Sequence, residues 1–193
     1  MWWALLLNSI VSILDSGVAA STTAYESIAT TTLGGTTATI TFSSIPATYT
    51  HLQIRIMSRS TRSATGDYIA MQFNADTGSN YAYHGLDGNG SSASAFGLAT
   101  QTFMDVERAA AATATASVFG VSVVDILDYA NTNKYKTMRS LGGFDNNGDG
   151  SITLTSGLWQ NSNAVTSITL KAQGGTSSFV QYSSFALYGI KGA

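Results

Sequence analysis

The most specific chemical pattern in the sequence is the run Asp145-Asn146-Asn147-Gly148-Asp149-Gly150. Side-chain oxygens of Asp145, Asn147 and Asp149 fall at alternate positions and a glycine stands sixth, the order in which a calcium loop curls its chain around a hard cation. The twelfth position, where such a loop supplies a bidentate glutamate, is Ser156, and no acidic residue follows it. The same letters also spell an ordinary hairpin loop between strand-like runs at 137–144 and 151–159. The plain hairpin without a cofactor is therefore the reading the sequence favours, with calcium held by Asp145, Asn147 and Asp149 as the alternative.

Other chemistry is sparse. His51 opens a strand-like run and His84 follows Tyr81-Ala82-Tyr83, without the close spacing of a metal-binding pair. No Gly-x-Ser-x-Gly elbow is present for a serine hydrolase. An acid and base pair would have to come from dispersed carboxylates such as Asp67, Asp105, Asp125 and Asp128, which sequence alone does not bring together. Catalysis is not expected. Tyr81, Tyr83 and Trp159, the last near Asn161 and Asn163, offer rings that could stack on a sugar face, with core packing as the competing explanation.

The elements that would position these residues are strands. From Thr36 onward the dominant period is two, as in Ala38-Ile40-Phe42, Leu52-Ile54-Ile56 and Ile69-Met71-Phe73. Further runs fit the same template at 103–107, 117–129, 137–144, 151–159, 165–172 and 179–190. Clusters such as Thr77-Gly78-Ser79-Asn80, Asp87-Gly88-Asn89-Gly90 and Gln173-Gly174-Gly175-Thr176 separate strands and read as turns. The run 109–116 has no period and reads as a loop or short helical turn, and the single proline, Pro46, as punctuation before a strand. The fold expected is all-β, an antiparallel, jelly-roll-like β-sandwich of about eight to ten strands.

Ahead of this body lies an apolar stretch. Trp3, Leu6, Leu7, Ile10, Ile13 and Leu14 recur at three- and four-residue spacing while Asn8, Ser12 and Asp15 fall opposite, which describes a short amphipathic helix ended by Gly17. No Lys or Arg precedes Arg55, so the basic start of a secretory signal is missing, and the stretch is too short to span a membrane. The chain divides into residues 1–24, a helix and linker, and residues 25–193, the sandwich. Trp2, Trp3, Leu6, Leu7, Ile10, Ile13 and Leu14 are the candidate contacts with sister chains or a larger scaffold, because exposed aromatic-rich stripes mark interfaces.

Composition narrows the partners. Of 193 residues only 10% are charged, and the net charge is −2. A surface covered by small hydroxyl side chains can be buried against neighbours without stranding ions, which suits an assembly subunit. Nothing supplies the basic field nucleic acid needs, and zero cysteines exclude disulfides and thiolate metal sites.

Four segments carry a family resemblance: Tyr25-Glu26-Ser27-Ile28-Ala29, the run from Phe42-Ser43-Ser44-Ile45-Pro46 through Tyr49-Thr50-His51-Leu52 to Arg55, the run from Phe73-Asn74-Ala75-Asp76-Thr77 to Tyr81, and Ser183-Ser184-Phe185-Ala186-Leu187-Tyr188-Gly189-Ile190. From Tyr25 onward the chain resembles β-sandwich proteins of tailed bacteriophages, found as capsid cement or decoration proteins and as distal modules of tail fibres and spikes. The resemblance implies a virion location, a homotrimer seated on the major capsid protein, and no catalytic residues. A tail-fibre or tailspike module whose loops bind a host surface glycan is the alternative, and a secreted lectin domain a third class. Neither nucleic acid nor membrane is expected as a partner.

Overall fold

The structure is a computed structural model that describes residues 24–172 and 177–192. Every helix or strand among these residues is a strand: β1 (Tyr25–Thr32), β2 (Thr39–Phe42), β3 (His51–Ser58), β4 (Gly66–Phe73), β5 (Tyr81–Gly88), β6 (Ala93–Gln101), β7 (Met104–Ala110), β8 (Gly120–Leu127), β9 (Lys136–Asp145), β10 (Gly150–Trp159), β11 (Ile168–Ala172) and β12 (Ser184–Ile190). The expectation of an all-β chain holds, while the expected eight to ten strands become twelve. β6 is the clearest omission from the sequence reading. Its residues are small or exposed along almost its whole length, so it prints no alternating apolar signal. The amphipathic helix, with Trp2, Trp3, Leu6, Leu7, Ile10, Ile13 and Leu14, lies outside the described residues, as does the turn at 173–176.

The strands form two antiparallel sheets, ordered β1-β12-β3-β8-β9-β10-β5-β6 and β2-β11-β4-β7. Four pairs are nested in sequence: β1 with β12, β2 with β11, β3 with β8 and β4 with β7. Two hairpins interrupt the nest, β5-β6 and β9-β10, and both add to the wider sheet. One apolar core is shared between the sheets. Leu52, Ile54, Ile56, Phe185 and Leu187 come from the wide sheet, and Phe42, Ile69, Met71, Phe73 and Leu170 from the narrow one.

Over parts of β8, β9 and β10 small polar residues, Ser122, Ser140, Thr153 and Thr155, face inward alongside the buried Val124, Ile126, Met138 and Trp159, while Val121, Val123, Leu141, Ile152 and Leu154 face outward. Sterics act on the inward choice at two glycines. A Cβ on Gly120 would stand 3.0 Å from the Ala109 Cα, and one on Gly157 would stand 2.7 Å from the Met104 sulfur, so β7 packs closely over these two positions.

The aperiodic run after β7 is a loop clamped by one side chain. The Arg59 guanidinium donates to the carbonyls of Thr115 and Val118 at 2.8 Å, of Ala114 at 2.9 Å and of Ala112 at 3.3 Å. At the other end of the fold, the Lys136 ammonium donates to the carbonyls of Asn131, Lys134 and Ser162 at 2.6, 2.8 and 2.9 Å. Both cations satisfy loop carbonyls that no strand ladder reaches.

Candidate functional site

Strand register places the outward apolar residues side by side. Met57 pairs with Val121, which sits across Gly143 from Ile152; in the adjacent row Val123, Leu141, Leu154 and Leu86 follow one another across four neighbouring strands. All seven large side chains are exposed, Ile152 to 61%. Their side of the sheet forms the floor of a trough of about 940 Å³, rimmed by Asn89, Gly90, Gly148 and Asp149 from the β5-β6 and β9-β10 turns. The next row carries both signs of charge, with Asp125 paired across the strands with Arg139. A contiguous apolar surface of this breadth is the mark of an interface.

A second concavity, of about 570 Å³, opens where β7, the edge of the narrow sheet, meets β5 and β6. Arg62, Tyr68, Tyr83, Asp87, Ser94, Phe96, Leu98, Asp105 and Arg108 line it. The Arg108 guanidinium lies 4.6 Å from the centroid of the Tyr68 ring, bonds the Tyr68 hydroxyl, and stands 3.7 Å from Asp87. Asp87 in turn accepts from the Thr153 hydroxyl at 2.8 Å. Beneath them Asp67, 1% exposed, pairs with Arg62 at 3.5 Å. Burial pushes the Asp105 carboxyl up to about 6, in spite of the hydrogen bond from Tyr83 and the charge of Arg108, and Asp67 adds to the rise. Burial likewise raises Tyr83.

The residues singled out by sequence distribute unevenly. Asp145, Asn147 and Asp149 do form a hairpin loop, between β9 and β10. There Asp145 accepts from the Asn147 amide at 2.8 Å and Asp149 from the Gly150 amide at 2.8 Å, while Asn146 accepts from the Thr115 amide. Among the described residues no three of His, Asp and Glu gather as metal ligands. His51 and His84 sit on β3 and β5, four strands apart, and His51 accepts from the Asp128 amide at 3.0 Å. Of the four dispersed aspartates, Asp67 and Asp105 come together, whereas Asp125 holds Gln53 and Asp128 holds Lys134.

The aromatic reading needs correction. Trp159 is 1% exposed and Tyr81 is fully buried, with their rings stacked at 6.4 Å, so neither can meet a sugar. Trp159 donates to Asp76 at 2.7 Å, and Tyr81 receives the burial that raises its hydroxyl to about 12. Phe96, Leu98, Asp87, Ser94 and Arg108 were not anticipated as a site. The sequence spaces them over three strands, and only the β5-β6 pairing together with the packing of β7 against β5 brings them to one place.

No protein-family model matches this chain, and no curated protein matches it significantly.

Proposed function

We propose that this chain is a non-enzymatic structural protein of a bacteriophage virion, a homotrimeric cement protein that reinforces the head shell, built as a jelly-roll sandwich. The nested pairing of eight strands, with two inserted hairpins widening one sheet, supports the jelly-roll assignment. The sequence resemblance from Tyr25 onward supports the virion setting.

One observation carries the assembly role: seven exposed large apolar side chains on the outer face of the wide sheet. Their partner is a sister copy. The neighbouring row carries both Asp125 and Arg139, so a symmetry-related copy can answer its charges without any net field. In this picture residues 1–16 supply a further anchor, to the shell or to a sister subunit.

The test is the mass in solution, by light scattering on the full-length chain. The wild type forms a trimer, and Leu141→Asp combined with Ile152→Asp yields folded monomers; a wild type that is monomeric at all concentrations overturns the assembly role. Density repeated over the whole shell in cryo-electron microscopy of intact particles is the matching result for the cement role, and density confined to the tail overturns it.

A further inference from the structure

The pocket at the β5-β6-β7 junction holds more polar machinery than packing requires. Asp105 is 8% exposed and lines the pocket, and its Oδ1 has no hydrogen-bond partner in the protein; the Nε of Arg108 has none either. A buried acceptor and a buried donor without partners cost stability, and in a native structure such groups call for an explanation.

The charges of the pocket are largely answered internally. Arg62 stands against Asp67 and Arg108 against Asp87, which leaves one buried carboxylate and no strong field of either sign. Such a site favours neither a multivalent cation nor a phosphate. A neutral ligand that donates and accepts at once suits it, because carboxylates only accept and guanidinium only donates. Phe96 and Leu98 form an apolar wall beside these groups, and the volume falls within the roughly 300–1,000 Å³ of small-ligand sites. The polar groups are also held in place beforehand: Arg108 by the Tyr68 ring and hydroxyl, Asp87 by Thr153. Preorganisation of that kind lowers the ordering cost of binding.

We propose that this pocket binds a saccharide, with one ring laid against Phe96 and Leu98 and its hydroxyls engaged by Asp87, Arg108 and Ser94 above the Asp105 carboxyl. The inference goes beyond the assembly role and does not rest on it. Of the Tyr81, Tyr83 and Trp159 platform suggested by sequence, Tyr81 and Trp159 are core, while Tyr83 is buried and lines this pocket.

Saturation-transfer NMR on the full-length chain tests it, with glucose, galactose, mannose, rhamnose and N-acetylglucosamine and their methyl glycosides as probes. At least one probe receives saturation, with a dissociation constant on the order of 1 mM. Asp87→Asn and Arg108→Gln each weaken that probe by about tenfold or more, the loss expected when a charged hydrogen-bonding partner is removed. No transfer to any probe overturns the proposal, as does equal binding by both variants. Should a variant fail to fold, amide shifts in the wild type decide. Shifts centred on Tyr68, Ser94, Phe96 and Arg108 uphold the site, and shifts elsewhere overturn it.

Discussion

Asp105 shows what one buried carboxyl does to stability. In the unfolded chain it loses its proton near 3.8, and in the folded chain near 6, so between those values the folded state holds the extra proton. Stability contributed at this site is therefore greatest below about pH 4, falls as pH rises to about 6, and stays reduced above it. Asp67, Arg108 and Tyr83 face the group, and the net effect of about two pKa steps is on the order of 3 kcal/mol. Asp105→Asn should melt higher than wild type at neutral pH and lose that advantage near pH 4, as thermal unfolding followed by circular dichroism would read; a pH-independent difference would contradict the burial argument. Lys136 is the opposite case. Its side chain is fully buried, burial lowers its affinity for a proton, and three carbonyls depend on it. Lys136→Met leaves those carbonyls without a donor and should cost about 3 kcal/mol in urea unfolding. Neither role is legible in the sequence, where Asp105 is an ordinary member of the run at 103–107 and Lys136 stands just ahead of the run at 137–144; the burial that gives them meaning comes from segments remote in the chain.

At the scale of elements, the period-two reading located most strands, because alternation is printed locally by pleat geometry. It did not assign a buried face in β8 to β10. Alternation says that one side of a strand is buried without saying which, and the choice in these strands follows from β7 packing against them. Turn chemistry was read well where glycine and asparagine are forced by the backbone. Asn147 has φ of 60° and Gly148 of 100° in the β9-β10 hairpin. Gly143 is a stricter requirement. Its φ is 151°, and a Cβ there would stand 2.0 Å from the Ser151 carbonyl oxygen, inside the β9-β10 ladder. Gly143→Ala should cost about 2 kcal/mol or more, and amide exchange should report the loss first in β9 and β10.

For the whole molecule, the wide sheet has twice the strands of the narrow one, so its far half is covered on the inside mainly by β7 and exposes apolar side chains on the outside. That asymmetry is the physical basis of the assembly proposal, and it was invisible in the sequence because sheet membership of β5, β6, β9 and β10 depends on pairings across the nest. The nest has a kinetic consequence as well. Among the described residues β1 finds its only strand partner in β12, more than 150 residues later, with Tyr25 opposite Ile190. Closing so long a loop is slow, and contacts of this separation set folding times in the range of about milliseconds to seconds. A ribosome emitting the chain must therefore release β12 before β1 can settle. Until then the outward apolar rows of β8 to β10 stand beside unpaired strand edges, which makes the arrival of β12 the step that protects the sheet from aggregation.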